Sequence, residues 1–319
     1  MKRFFAPLWI ACAGMVLLAA VGCAVSAPPV APPTIAAPQS APQSAPQIEP
    51  TQLRPGVRYW REERTGETPM VAHVVAIDLR DAGLVFSVTP GDRSQGMEHR
   101  AQLTGGYLEA SDAVLAFNAS YFLPFAGGSP AGEDFYPHVG DPVNVSGAAL
   151  SAGAVVSPVE TDLDLRINAI VCFAGAQVAI RDGQICPANF TDGVAAGPRL
   201  LAAGERRSFA AFDNNYASAA HPRTAIGVSG DGAMVWIVVV DGRQPGYSAG
   251  ASLQVLTDLF VGLGAVDAIN LDGGGSATLA ADDGAGAARI LNRPIHTGVP
   301  GRERPVANHI GLFENPTMP

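Results

Sequence analysis

The chain has 319 residues, of which 48% are hydrophobic and only 15% are charged, so a largely disordered protein is excluded. The formal net charge of −9 argues against a basic nucleic-acid binder, and we expect no nucleic-acid partner. Lys2 is the only lysine, so a chain that loses its N-terminus can have neither a Schiff-base lysine nor a P-loop lysine.

The N-terminus has the pattern of an export signal. Lys2 and Arg3 precede an apolar run that ends at Ala20-Val21-Gly22-Cys23, which resembles a bacterial lipobox. We therefore expect a signal peptide over residues 1–22 and a lipid on Cys23, which predicts a lipoprotein anchored to the membrane at the bacterial cell envelope, outside the cytoplasm. Cleavage after Ala27, which gives a soluble secreted protein, and an uncleaved membrane anchor are the alternatives.

Residues 23–50 are dominated by Ala, Pro, Gln and Ser and include the tandem repeat SAPQSAPQ. This composition has little that could pack a core, and it predicts an extended tether. The folded domain is then expected over residues 51–319.

The expected domain is a single α+β domain, rich in strands arranged in a mixed sheet, with few helices. The 36 glycines and 26 prolines are typical of short strands joined by tight turns. A helix is predicted from Ser252 to Leu263, because apolar residues recur there on one face, and a weaker helix over Glu98–Ser111. The segment Leu123–Pro158 is predicted to be loop. Strands are predicted at Val71–Leu79, Leu84–Thr89, Ala113–Phe117, Ile167–Phe173, Thr224–Val228, Met234–Asp241, Val266–Leu271 and Val306–Phe313.

Two cysteines remain in the folded part, Cys172 and Cys186, and they flank a predicted hairpin. A disulfide between them fits an exported protein, whereas two buried thiols are the alternative. Neither the cysteine count nor the histidine spacing matches a zinc site.

A glycine-rich turn follows the predicted strand Val266–Leu271, in the sequence Asn270-Leu271-Asp272-Gly273-Gly274-Gly275-Ser276. Three successive glycines let the backbone turn sharply and direct several N–H groups at one anion. Asp272 stands at the strand end, where functional side chains often lie. An ordinary turn capped by Asp272 is the alternative.

The second candidate cluster contains Arg223, Asp241 and Arg243. Arg223 begins one strand, and Asp241 and Arg243 close the next one, beyond a tight turn at Asp231-Gly232. Since these strand ends lie side by side in a hairpin, we expect two guanidinium groups to clamp a phosphate while Asp241 orients them. A surface salt-bridge network is the alternative.

Two further motifs carry hydroxyl or amide groups. Asn118 ends a strand that runs into a polar turn, where its amide is placed to bind a sugar hydroxyl or to satisfy its own turn. Gly246-Tyr247-Ser248-Ala249-Gly250 matches the nucleophile elbow of serine hydrolases, and Asp272 and His296 follow in the required order. No strand runs directly into Ser248, which favours a helix-start or substrate-contacting hydroxyl instead.

In combination, HPRTAIGV, VVVDGRQPGYSAGASLQVLTDLFVGLGAVDAINLDGGGSATL, ERPVANHIGLF and FNASYF resemble the phosphodiester glycosidase family. The resemblance is densest over His221–Ser276 and Glu303–Phe313. It implies a strand-rich α/β fold and cleavage of the bond between a sugar anomeric carbon and a phosphodiester oxygen. The segment Gly197-Pro198-Arg199-Leu200 also resembles a family segment. By position, the resemblance places at the pocket Asn118, Arg223, Thr224, Asp241, Gly242, Arg243, Asn270, Asp272, Gly273, Gly274 and Ser276.

The expected function is therefore that of an exported glycosidase that releases free sugar from a substrate resembling an N-acetylglucosamine-α-1-phosphodiester. Asp272 is expected next to the anomeric carbon, with Asp241 as the second catalytic carboxylate or as an orienter of the arginines. No cofactor is required, although a divalent cation could help the two carboxylates to hold the phosphate. The alternatives are a non-catalytic phosphoglycan-binding envelope protein and a serine hydrolase that uses Ser248.

Overall fold

The computed structural model describes residues 49–81, 83–161 and 165–315. The expected signal peptide, the lipidation site Cys23 and almost all of the expected tether lie outside these residues. No helix within the described ranges is long and apolar enough to cross a membrane.

The described residues form twenty-one strands and three α-helices. The strands of the first half are β1 (Thr51–Arg54), β2 (Val57–Arg64), β3 (Met70–Asp78), β4 (Leu84–Val88), β5 (His99–Arg100), β6 (Leu115–Asn118), β7 (Phe122–Leu123), β8 (Pro142–Val145), β9 (Ala149–Ser151) and β10 (Ala154–Ser157). Those of the second half are β11 (Ala169–Ala174), β12 (Gln177–Asp182), β13 (Asp192–Ala196), β14 (Arg199–Ala202), β15 (Glu205–Arg206), β16 (Arg223–Val228), β17 (Met234–Asp241), β18 (Asp267–Asn270), β19 (Leu279–Asp282), β20 (Ala288–Ile290) and β21 (His309–Glu314). The α-helices are α1 (Thr104–Ser111), α2 (Asn214–Ala217) and α3 (Leu253–Leu263).

These strands form four sheets. The large sheet has the order β1-β2-β3-β17-β16-β18-β14-β15, and two five-stranded sheets have the orders β10-β9-β13-β11-β12 and β20-β19-β6-β21-β4. A small sheet joins β5, β8 and β7. The strand-rich α+β prediction with few helices is confirmed. The strands within each of these sheets pair antiparallel, in place of the mixed pairing that we expected.

The core lies on both faces of the large sheet. On one face, side chains such as Val75 and Ile237 pack against the two five-stranded sheets, where Phe86 and Phe173 stack with ring centroids 4.9 Å apart. On the other face, apolar side chains of α3 form one core cluster with residues of β3, β14, β16 and β17. Because β3 and β17 are buried on both faces, they are continuous apolar runs rather than alternating ones.

The predicted helix α3 is confirmed. The Ser252 hydroxyl caps it by accepting from the Val255 N–H, and Gly264 ends it in the left-handed conformation with φ of 87°. The second predicted helix is shorter than expected. Residues His99 and Arg100 pair with β8, so only Thr104–Ser111 is helical.

The hairpin around Cys172 is formed by β11 and β12, and the predicted disulfide Cys172–Cys186 is present. The loop prediction for Leu123–Pro158 is wrong, since β8, β9 and β10 lie within it. These strands are only three or four residues long, which is too short for alternation such as that of β8 to stand out in the sequence. Pairing with neighbouring strands keeps them extended.

Candidate active site

The candidate site lies where strands of two sheets end side by side. After β18, the chain passes between the start of β16 and the end of β6. The Leu271 N–H donates to the Thr224 carbonyl over 2.8 Å, and the Asp272 N–H donates to the Ala119 carbonyl over 3.0 Å. The backbone of Asp272 is therefore fixed from both sides.

Three glycines allow the His221–Pro222 backbone to pass through this crossing. A Cβ atom at Gly242 would lie 2.6 Å from the Pro222 nitrogen, and one at Gly273 would lie 2.6 Å from the Pro222 oxygen. Gly250 meets the His221 backbone in the same way and has a φ of 112°. Close backbone approach is thus the reason for glycine after both Asp241 and Asp272.

Two N–H groups of the expected anion-binding nest are already used within the protein. The Gly274 N–H donates to the Pro222 carbonyl over 2.9 Å, and the Ser276 N–H donates to the Gly273 carbonyl over 3.2 Å, so neither is available to a ligand. The glycines also let arginines approach. The Arg243 guanidinium lies against Gly274, and the Arg304 guanidinium occupies the space where Gly275 would carry a Cβ.

Asp272 stands at the junction of two adjoining cavities of about 380 and 460 Å³. Both cavities include Tyr121, Phe125, Arg166, Asp272 and Arg304. The cavity of about 380 Å³, which we call the basic cavity, is also lined by Asp213, Asn215, Tyr216, His221, Pro222, Arg223, Arg243, Gly273 and Gly274. The cavity of about 460 Å³, which we call the aromatic cavity, is also lined by Phe122, Leu123, Ser146, Glu160 and Ile167.

The half-buried Asp272 is in an environment of opposing influences. Burial raises the pKa of its carboxyl above the usual 3.8, while a hydrogen bond from Ser276 and the charge of Arg304 act to lower that pKa. A carboxylate held in a low-dielectric cleft beside cations is typical of catalytic groups.

Four arginines line the cavities around Asp272, and each has a defined contact. Arg223 is 3% exposed and donates from Nε to the Ala251 carbonyl and from Nη2 to the Tyr216 carbonyl, over 3.1 and 2.5 Å. Arg166 lies over the rings of Tyr121 and Tyr216, 5.2 and 5.3 Å from their centroids.

The other two arginines flank the glycine turn. Arg304 donates to Ser276 Oγ and to His296 Nδ1 over 3.1 Å each, and burial lowers its pKa to about 10, so it stays charged at neutral pH. Arg243 is exposed at the mouth and holds a left-handed φ of 57°, a conformation that is costly for a residue with a side chain. Its Nη2 faces His221 Nδ1 at 3.4 Å.

Comparison with known proteins agrees with the motifs. The family model described as phosphodiester glycosidase matches residues 111–313. The chain belongs to the phosphodiester glycosidase family. A search of curated proteins finds no match.

Three solved structures share the fold of this chain at low sequence identity. The catalytic domain of zebrafish N-acetylglucosamine-1-phosphodiester alpha-N-acetylglucosaminidase, auto-inhibited by its pro-peptide, is 19% identical, with a TM-score of 0.58 and coverage of 85% of each chain. A hypothetical protein from Synechocystis is 19% identical with a TM-score of 0.54, over 85% of this chain and 64% of that one. A protein from Burkholderia pseudomallei is 17% identical with a TM-score of 0.54, over 77% of this chain and 74% of that one.

Several residues placed at the pocket by family resemblance form the frame behind Asp272 rather than the cavity wall. Asn118 is fully buried, donates to the Asp272 carbonyl over 2.7 Å and accepts from Thr224 Oγ1 over 2.8 Å. Asn270 donates from Nδ2 to the Gly197 carbonyl over 2.8 Å. Both amides hold chain segments together. Asn118 is satisfied by protein partners at both of its amide atoms, and Asn270 at its Nδ2.

Asp241 does not join Arg223 and Arg243. Its buried carboxylate accepts from His73 Nε2, Tyr247 Oη, Asn292 Nδ2 and the Arg293 N–H over 2.8–3.0 Å. The predicted cluster is wrong because Arg223 pairs with Val240, and the next residue along a strand faces the opposite side of the sheet.

The serine-hydrolase geometry is absent around Ser248. Its buried hydroxyl donates to the Asp241 carbonyl over 2.5 Å and accepts from the Val71 N–H over 3.0 Å, so it braces two strands. His296, the expected third member, instead receives a hydrogen bond from Arg304. Ser248 lines neither cavity, and the helix start is capped by Ser252.

The sequence reasoning missed Arg166, Arg304, Tyr121 and Glu160 as cavity residues. Arg304 lies in the segment ERPVANHIGLF, which resembles the family. The folded part has only arginine and histidine as basic side chains, so an arginine in this motif was a detectable candidate for anion binding. Arg166 and Glu160 carry no comparable motif.

Proposed function

We propose that this chain hydrolyses the bond between a sugar anomeric carbon and the oxygen of a phosphodiester. The observation that carries the proposal is the position of Asp272 at the junction of two cavities, with the guanidinium groups of Arg166, Arg223, Arg243 and Arg304 around it. Family membership supports a glycosidase-type enzyme. The products would be a free sugar and a phosphomonoester.

The chemistry makes unequal demands on the two sides of the bond. When the C1–O bond breaks, its electron pair stays on the phosphate oxygen. The anomeric carbon receives a hydroxyl group from water, and the remaining proton of that water goes to the phosphomonoester or to solvent. Guanidinium groups stabilise the charge that develops on the phosphate, and they do so without a proton transfer. The Asp272 carboxylate stabilises the positive charge that develops on the sugar ring.

We further propose a substrate of the N-acetylglucosamine-α-1-phosphodiester type, presented on a phosphoglycan outside the cytoplasm. The zebrafish enzyme of the same fold is named as an N-acetylglucosamine-1-phosphodiester alpha-N-acetylglucosaminidase, which supports this choice of substrate. Export is supported by the disulfide Cys172–Cys186, since disulfides persist in oxidising compartments. The proposed lipid at Cys23 would keep the enzyme at the membrane of the envelope.

The proposed reaction needs no metal ion, because four guanidinium groups already supply the positive charge that a divalent cation would bring to the phosphate. Among the described residues, no group of three His, Cys, Asp or Glu side chains is placed to hold a metal. Turnover is therefore expected to persist in EDTA, and restoration of lost turnover by added Mg²⁺ or Ca²⁺ would contradict this part of the proposal.

The deciding experiment incubates the purified protein with the methyl phosphodiester of N-acetylglucosamine-α-1-phosphate and measures free sugar and methyl phosphate. Asp272→Asn, which keeps the shape of the side chain, is expected to lower kcat by at least about 100-fold. Asp258→Asn on the exposed face of α3 is the matched control and should retain wild-type activity.

Turnover by wild type that Asp272→Asn leaves intact would remove Asp272 from the mechanism. Binding of the ester by wild type without turnover would favour the phosphoglycan-binding alternative over the enzyme.

A further inference from the structure

The two cavities that meet at Asp272 differ in chemistry. Arg223 and Arg243 line only the basic cavity, together with His221 and the glycine turn. Glu160 and Ser146 line only the aromatic cavity, together with Phe122. The two sides of Asp272 are therefore suited to different parts of one substrate.

The carboxylate of Glu160 is held in place although the residue is exposed. Its Oε2 accepts from the Gly147 N–H over 3.0 Å. The Gln184 side chain holds the Glu160 backbone at both polar groups, since Nε2 donates to the Glu160 carbonyl over 2.8 Å and Oε1 accepts from its N–H over 3.3 Å. The same Oε1 accepts from the Ala148 N–H over 3.0 Å.

Gln184 is itself tethered, because it stands two residues before Cys186, which is bonded to Cys172 in β11. The wall that presents Ser146 and Glu160 is thus fixed to the five-stranded sheet that contains β11. Because these hydrogen bonds already hold Glu160 in place, its side chain loses little conformational entropy when it binds a ligand.

A sugar ring has hydroxyl groups on its edge and C–H groups on its faces. Carboxylates accept hydrogen bonds from the hydroxyls, and aromatic side chains contact the apolar faces. Phe125 is 40% exposed. The Arg304 guanidinium lies over one face of its ring, 4.4 Å from the centroid, so a sugar would contact the exposed remainder of the ring. A phosphate, in contrast, would be repelled by Glu160 and attracted by Arg223 and Arg243.

We propose that the aromatic cavity binds the sugar and the basic cavity the phosphate, and that Glu160 determines which sugar is accepted by binding its hydroxyl groups. This inference rests on the proposed function, because it orients the same substrate. The scissile bond then lies at the junction, where Asp272 belongs to both cavities and Arg166 and Arg304 face the bridging oxygen. Gln184 is the positioning residue for Glu160.

The test uses the two products as separate probes of the full-length protein. Free N-acetylglucosamine probes the sugar side and methyl phosphate probes the phosphate side, each by isothermal titration calorimetry and by inhibition of turnover. Glu160→Gln is expected to weaken sugar binding by about 10-fold or more, the value of one hydrogen bond to a charged group, and to leave methyl phosphate binding unchanged. Arg243→Gln should do the reverse.

Two further variants separate a local effect from a general one. Glu205→Gln changes an exposed acid on β15, which lines neither cavity, and should leave both affinities unchanged. Gln184→Ala should weaken sugar binding in the same direction as Glu160→Gln, and it should raise KM for the ester more than it lowers kcat.

Wild-type sugar affinity in Glu160→Gln, or an equal loss for both probes, would overturn the inference even if the ester is hydrolysed. A loss confined to kcat would also overturn it, because Glu160 would then act on the reacting bond rather than on sugar selection. If wild type binds both probes with the expected variant pattern but releases no sugar from the ester, the proposed function fails and the subsite assignment stands.

Discussion

Asn118 illustrates how a single buried amide can maintain a site without facing it. Its Nδ2 donates to the Asp272 carbonyl, and its Oδ1 accepts from Thr224 Oγ1 and from the Thr278 N–H over 2.8 and 3.1 Å. Replacing it with Asp removes the donor and places an oxygen against the Asp272 carbonyl. The position therefore requires both a donor at Nδ2 and an acceptor at Oδ1.

We expect Asn118→Asp to lower the free energy of unfolding by about 2–4 kcal/mol, because a buried hydrogen bond is replaced by a repulsive contact and an uncompensated charge. Urea denaturation measures the change. Asn214→Asp, on the exposed first turn of α2, is the matched control and should change stability by less than about 0.5 kcal/mol. Equal stability of both variants would show that Asn118 is not part of the frame.

At the same scale, the family resemblance placed Asp272, Arg223 and Arg243 at one pocket, and all three line the basic cavity. It failed for Asp241 because adjacent strand residues face opposite sides, so one position decides between cavity and core. Arg304 arrives from a distant segment through tertiary packing. No spacing rule along the chain could bring it to Ser276, 28 residues away.

Secondary-structure elements with their own strong patterns were the predictable ones. The bounds Met234–Asp241 of β17 were predicted to the residue, and α3 differs by only its capping serine. The short strands β8, β9 and β10 were missed, because Gly, Pro and Ser in Leu123–Pro158 are typical of loops when no partner is known. That segment supplies Leu123, Phe125 and Ser146 to the aromatic cavity, and Glu160, to which we assign sugar selection, follows two residues after its end.

The hairpin β11–β12 gives a prediction about how one element supports that cavity. The disulfide closes a short loop between Cys172 and Cys186, with a sequence separation of 14. Replacing both cysteines with Ala should lower the free energy of unfolding by about 3 kcal/mol in the chain-entropy account. Because Gln184 lies inside this loop, affinity for free N-acetylglucosamine should fall while affinity for methyl phosphate is retained.

Urea denaturation and calorimetry of the double cysteine variant measure these two effects. Oxidised and reduced wild type provide a comparison without any change of sequence, and the reduced form should reproduce both losses. An equal loss of affinity for the two probes would mean that the disulfide supports the whole domain rather than the sugar side.

On the scale of the whole molecule, charge is distributed unevenly. The chain has a net charge of −9, yet four arginines surround Asp272 in the two cavities. Local positive potential in a cleft can attract an anion even when the protein as a whole is acidic, because nearby charges dominate within a Debye length of about 8 Å at physiological salt. Arginine also keeps this charge when buried, since its pKa is far above neutrality.

The stability of the domain should depend on pH through histidines buried far from water. His99 and His309 are at most 1% exposed, so their ring nitrogens are shielded from water. Burial lowers the pKa of His99 to about 4 and that of His309 to about 3, from the usual 6.5. The unfolded chain therefore binds more protons than the folded one between these values, so stability is complete above pH 6.5 and falls as the pH decreases.

Between pH 6.5 and about pH 5, each of these histidines should cost about 2 kcal/mol of unfolding free energy. This window lies above the range where ordinary carboxyl groups titrate. Glu98 and Glu303 contribute a pH dependence of stability with the opposite sign, because burial raises the pKa of each carboxyl. They offset part of the loss of stability at the acidic end.

Urea denaturation between pH 6.5 and about pH 5 measures the slope of the unfolding free energy against pH. His309→Phe, which keeps a ring stacked on Tyr107, should reduce that slope. An unaltered slope in this variant would mean that His309 is not the titrating group.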